Sequence, residues 1–181
     1  MAESTSPEIA VLRGVQGAIA KPIVVKVARG MSVFGEHSIG WLAVGAVGAL
    51  VDRERRKDWL IAAGGVFGAH AASVVVKRVV KRTRPDDSGV QVLVGTPSRL
   101  SFPSAHATST TAAAVLYGGL LNRRLSPVLV PPMLLSRMVL GVHYPSDVLA
   151  GSVLGAVIGG VVRRKLSRRK ERDEQRGRNR D

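Results

Sequence analysis

VLAGSVLGAVIGGVVRRK, residues 148–165, decides how the chain is read. Fifteen uncharged residues, mostly Val, Leu, Ala and Gly, run straight into a basic triplet. Small residues spaced along an apolar helix allow close packing in lipid, where the hydrophobic effect does not drive helices together. Basic residues at the end of such a segment mark a cytoplasmic edge. Four more segments share this texture: 38–51, 59–76, 107–121 and 127–142. Each is shorter than the ~20 residues that a helix needs to cross the hydrocarbon core unaided. A thinned bilayer or a tight bundle makes up the difference. The stretch 9–28 is broken by Arg13, Lys21, Lys26 and Pro22, so it is either a further span or an amphipathic helix at the surface.

The rest of the composition agrees with this reading. The formal net charge is +14, which in a soluble protein would point to nucleic acid. Here the charge is segregated: ten of the 27 Lys and Arg lie between Arg163 and Arg180, and four more in DRERRKD, residues 52–58. Attraction to anionic headgroups explains the tail more simply, and no nucleic-acid partner is expected. There is no cysteine, which excludes disulfides and thiolate chemistry. The acidic MAESTSPE start lacks the basic and apolar regions of a cleaved signal peptide.

The expectation is an all-α integral membrane bundle of about six helices. Residues 1–34 form the amphipathic or first membrane helix, 35–162 the core, and 163–181 a basic, disordered cytoplasmic tail. By the positive-inside rule, 52–58, 122–124 and the tail face the cytoplasm. Loop 77–106 and the turn at 143–147 then face outward, so the protein is a multi-pass plasma-membrane protein with an extracytoplasmic site. The outer loop carries its own basic cluster, Lys77, Arg78, Lys81, Arg82 and Arg84, against the rule. Function is the reason to expect for that.

Three polar clusters share this face: KRVVKRTRP (77–85), PSAH (103–106) and SRMVLGVHYPSD (136–147). Together they supply guanidinium, ammonium, hydroxyl, two imidazoles and one carboxylate, a set that suits a phosphoryl group. Charge on the equatorial oxygens of such a group calls for cations and N–H donors. Lys77, Arg84 and Arg137 provide the cations. Ser104 adds a hydroxyl. Pro103 suits the first turn of a helix whose free N–H groups, Ala105 included, would face the anion. His143, with Asp147 four residues on to fix its tautomer, is the expected nucleophile through a phosphohistidine. His106 is the expected general acid and then base. The cations are side chains, so no metal or cofactor is required.

These clusters, read as K-x6-RP, PS-x-H and SR-x5-H-x3-D, resemble in order the three signature motifs of the type 2 phosphatidic acid phosphatase (PAP2) superfamily. The resemblance spans about residues 35–162. It implies a six-helix bundle, a lipid phosphate substrate and the roles given above. One departure stands out: Ala105 occupies the place of the family's usual glycine. PSAHATSTTAA, FGEHSIGWLA and GVHYPSDVLAG also look like the small actinobacterial members that act on decaprenylphosphoryl-5-phosphoribose, which implies a polyprenyl-linked sugar phosphate. Other substrates of the same chemistry are undecaprenyl pyrophosphate, phosphatidic acid and phosphatidylglycerol phosphate. The alternative of another class is a non-catalytic scaffold that binds anionic lipid.

Glu36 and His37, at the outer end of a span, either read the sugar or hydrogen-bond between helices. His70 is expected in an interhelical hydrogen bond, and Trp41 and Trp59 as interfacial anchors. Arg78, Lys81 and Arg82 are expected at the headgroups, and Ser136 at a helix end.

Overall fold

The computed structural model describes residues 6–178. The chain forms seven α-helices: α1 (Pro7–Ile19), α2 (Pro22–Gly35), α3 (Ile39–Val51), α4 (Arg56–Val80), α5 (Ala105–Leu120), α6 (Ser126–Val139) and α7 (Pro145–Arg178). A 3-10 turn, Glu36–Ser38, joins α2 to α3, which leaves six rods and, among the described residues, no strand. Three rods are long and apolar enough to cross a membrane: Pro22–Val51, Arg56–Val80 and Pro145–Arg172.

Helix α7 shows why the sequence packs this way. Gly151, Gly155 and Gly159 recur every four residues, so they share one helix face. A Cβ at Gly151 or Gly155 would meet the Ser104 or Thr108 carbonyl oxygen of the α5 region, and one at Gly159 would meet Val115. The two helices therefore pack backbone to backbone. Leu149, Val153, Val157 and Val161 have the same spacing on another face and are exposed, the stripe that lipid would cover. Helix α5 is buried along most of its length between α4 and α7.

Short turns at 52–55, 121–125 and 140–144 make consecutive helices from α3 to α7 antiparallel. The long α4–α5 connection folds back on itself, with a bridge between Thr83 and Leu100. It lies with the α6–α7 turn at one end of the bundle. The ambiguous stretch 9–28 resolves into parts of two helices, with Pro22 starting the second. Both lie against that same end. Gln16 of α1 donates to the Gln91 and Val139 carbonyls, and Val24, Val25 and Ala28 of α2 pack with Leu93, Val139, Leu140 and Val142.

Two expectations need correction. Trp41 and Trp59 are core residues, not interfacial anchors. Trp41 donates to Thr110 Oγ1 (3.0 Å), and Trp59 donates to Asp52 and packs on Tyr117. The indole N–H groups find partners inside a bundle of small residues, which leaves room for the rings. Nor is the described part of the tail, 163–178, without structure, because it continues α7 as helix. It is rich in Arg and Lys and free of Pro, a composition that favours helix once the preceding turns are formed. Residues 179–181 lie outside the described part.

Candidate active site

The three clusters meet in one pocket of about 270 Å³, lined at one end by Lys77, Arg84, Ala105, His106, Arg137 and His143. His143 lies two residues before α7, which Pro145 opens as expected. Its Nδ1 faces Asp147 Oδ2 at 3.5 Å, and its Nε2 lies 3.3 Å from Arg84 Nη1. Asp147 is fully buried and held from both sides: Oδ2 accepts from the Tyr144 N–H (2.8 Å), and Oδ1 from Arg82 (3.1 Å). Burial first, then the facing charges of Arg84, Arg137 and Lys77, holds the His143 pKa well below its usual value. The ring is therefore neutral at pH 7, with a lone pair on one nitrogen.

The cations are fixed by backbone and hydroxyl oxygens. Arg84 donates from Nε to the Ser98 carbonyl and from Nη1 to that of Val142. Burial lowers its pKa to about 10, so it stays charged. Arg137 is 1% exposed; Nη1 donates to Ser32 Oγ (2.8 Å), and Nε is buried without a partner. Lys77 lines the pocket, but its ammonium donates to the carbonyls of Leu100, Ser101 and Pro103 at 3.0–3.1 Å. Its three N–H bonds are thus spent on holding the connection that carries PSAH. Among the described residues, none of these three cations pairs with a carboxylate within 4 Å. Three cations facing one pocket with no carboxylate in contact favour an anion there.

Helix α5 begins at Ala105, with Ser104 as N-cap, so Pro103 precedes the cap instead of occupying the first turn. Ser104 is buried, and its oxygen accepts from the Ala107 N–H. It lies outside the pocket lining. The cap leaves the N–H groups of Ala105 and His106 without an acceptor at the pocket wall. His106 Nε2 lies 2.9 Å from the Ser32 carbonyl. A carbonyl only accepts, so Nε2 carries the hydrogen and Nδ1 is left to exchange a proton.

Glu36, His37 and His70 line the same pocket. His70 is not in the expected interhelical hydrogen bond: its Nδ1 is buried without a partner. Ser136 bonds the Met133 carbonyl within α6, a helix-end role as expected.

Arg82, expected at the headgroups, is part of the site's support. Besides Asp147 it donates to Ser146 Oγ (2.6 Å), pairs with Glu8 of α1, and lies 3.9 Å over the Tyr144 ring. Glu8 in turn accepts from the Ser146 N–H and hydroxyl. Ser32 and Glu8 have no signal in the sequence, and Arg82 shows there only as one of a basic cluster, because their hydrogen-bond partners are 64 to 138 residues away.

Residues 58–171 match the PAP2 superfamily. The chain is 56% identical over 149 residues to the decaprenylphosphoryl-5-phosphoribose phosphatase of Mycobacterium tuberculosis H37Rv, covering 82% of this chain and 84% of that one. It is 57% identical over 152 residues to the protein of that name from Mycolicibacterium smegmatis, covering 83% and 84%. Two solved structures share the fold. One is a transmembrane PAP2-type phosphatidylglycerolphosphate phosphatase from Bacillus subtilis (TM-score 0.70, 24% identity, 95% of this chain and 89% of that one). The other is Aquifex aeolicus LpxE (TM-score 0.69, 18% identity, 90% and 98%).

Proposed function

We propose, from the premise that the chain belongs to the PAP2 superfamily and is a multi-pass membrane phosphatase, that it removes the 5-phosphate of a polyprenylphosphoryl phosphoribose. The product is the polyprenylphosphoryl ribose, a precursor for cell-wall arabinan. Identity above 55% to decaprenylphosphoryl-5-phosphoribose phosphatases across most of the chain supports the substrate. The observation that carries the chemistry is the cluster of Lys77, Arg84 and Arg137, unpaired with any described carboxylate, beside a neutral His143 backed by Asp147.

In this reading the phosphoryl group sits against Arg84, Arg137 and the N–H groups of Ala105 and His106. Lys77 adds charge and holds the PSAH connection in place. His143 Nε2 attacks phosphorus, and the bond from phosphorus to the ribose 5-oxygen breaks. His106, protonated, gives its Nδ1 proton to that oxygen. The phosphorylated imidazole carries positive charge, which Asp147 stabilises across Nδ1–H. Water then attacks phosphorus, His106 Nδ1 takes its proton, the P–N bond breaks, and phosphate leaves. The equatorial charge meets only side-chain cations and amides. We place the pocket on the extracytoplasmic face and the end of α7 in the cytoplasm, a reading supported by the basic residues at 53–57, 123–124 and 163–178.

The test is phosphate release in detergent with chelator, from wild type and His143→Ala, on polyprenylphosphoryl phosphoribose, polyprenyl pyrophosphate and phosphatidic acid. Chelator-resistant release, greatest on the first and lost in the variant, is expected. A preference for another lipid would replace the substrate, and no release by folded wild type would leave a lipid-binding scaffold.

A further inference from the structure

The pocket does not end at the phosphate-binding cations. His70 lies seven residues before Lys77 on α4, two helical turns along the same face and about 10 Å down the axis. There it meets the 3-10 turn, with the His37 ring 6.1 Å away. His37 Nδ1 in turn lies 3.4 Å from Glu36 Oε1. His37 and Ser38 both have positive φ, 47° and 63°. Two successive non-glycine residues in the left-handed region are strained, and such strain gathers at functional sites. Neither ring nitrogen of His70 hydrogen-bonds to a described residue, and one is buried. An imidazole within a membrane-crossing helix with no bonding partner has no structural reason to be there.

We propose that Glu36, His37 and His70 form a second subsite that reads the vicinal 2- and 3-hydroxyls of a pentose whose 5-phosphate occupies the cation end. This rests on the phosphomonoesterase reading above and specifies what that site recognises beyond phosphorus. The chemistry is selective. A carboxylate only accepts hydrogen bonds, and an imidazole can both accept and donate, so together they pair with hydroxyls, which do the same. A second phosphoryl group, as in a pyrophosphate, would bring negative charge against Glu36. A diacylglycerol phosphate would offer ester oxygens, which give Glu36 nothing to accept. Buried polar groups left unpaired by the wrong ligand are a strong source of discrimination.

The experiment measures equilibrium binding of ribose 5-phosphate, 2-deoxyribose 5-phosphate and inorganic phosphate to the full chain in detergent. The chain carries His143→Asn so that nothing is turned over. Ribose 5-phosphate is expected to bind about tenfold tighter than its 2-deoxy analogue. Adding His70→Phe, which keeps a ring of similar size, or Glu36→Gln brings that ratio close to one while inorganic phosphate still binds. In the otherwise wild-type chain, His70→Phe lowers the ratio of kcat/KM for the phosphoribosyl lipid over phosphatidic acid by a similar factor. A ratio of one before either substitution overturns the subsite. So does a parallel loss of inorganic phosphate and ribose 5-phosphate binding in both variants. The two readings fail separately. Hydrolysis of phosphatidic acid but not of the phosphoribosyl lipid, with ribose discrimination intact, overturns the substrate and leaves the subsite. Hydrolysis of the phosphoribosyl lipid with no ribose discrimination does the reverse.

Discussion

Replacing Glu8 by Gln tests whether the first helix takes part in the chemistry through contact alone. Glu8 touches nothing in the pocket lining, and it lies outside the segment that matches the family. It holds Ser146 by two hydrogen bonds, 3.0 and 2.6 Å, and pairs with the same Arg82 that donates to Asp147. Glutamine keeps an acceptor for Ser146 but loses the charge facing Arg82. The guanidinium, released from one carboxylate, then leans on the other and draws charge from Asp147, the group meant for the His143 imidazolium. Both members of the Glu8–Arg82 pair are about 30% exposed, so the pair is worth less than a buried one. A loss of about 1 kcal/mol is reasonable. Carried into the transition state, this is about a fivefold fall in kcat with KM unchanged. The assay is steady-state phosphate release from the lipid, with a thermal melt in the same detergent. A double substitution with Arg82→Gln should be no worse than the poorer single, since the two act as one unit. Unchanged kcat with a lower Tm would refute the argument and make α1 a scaffold. A loss above about 100-fold would refute it from the other side, since no support three contacts away from His143 accounts for that much.

Other outcomes follow from the same geometry. The His143 pKa is lowered, so the nucleophile stays neutral below the ordinary imidazole range and protonates only under more acid conditions. The acid limb of phosphohistidine formation in rapid-quench experiments should therefore lie below pH 6.5; a limb at pH 7 or above would contradict the burial argument. Ala105→Gly removes a methyl from the pocket wall and should lower KM, while costing about 0.5–1 kcal/mol of stability at the start of α5; kinetics and a melt read the two effects separately. Gly155→Ala puts a methyl against the Thr108 carbonyl and should destabilise the α5–α7 contact by about 1–3 kcal/mol, seen as a lower Tm.

Sequence made the cation end of the pocket legible because its residues sit at helix ends, where motif spacing and helix starts coincide. Pro145 opening α7, with Asp147 one turn beyond His143, could be read locally. Lys77 was legible as a residue of the pocket but not in its bonding, and Ser104, expected beside it, lies outside the lining. Spacing does not show that three carbonyls would take the ammonium, or that the hydroxyl would cap a helix. The support around Asp147 was out of reach for a different reason. Arg82 reads as one more cation in a basic run until α1 brings Glu8 to it across 74 residues. His70 misled in the opposite sense, since a lone imidazole among alanines looks like helix-to-helix glue, and only the placement of the 3-10 turn opens it to the pocket.

The seating of α1 and α2 on the pocket end has a bearing on which compartment each end of the chain occupies. If the α2–α3 rod, Pro22–Val51, and each of α4 to α7 cross the bilayer while α1 lies on its surface, the passages number five. Residue 6 and residue 178 then emerge on opposite sides of the membrane. A tag fused ahead of α1 would then share its compartment with the pocket. One fused after α7 would lie across the membrane from the substrate, beside the basic helical extension.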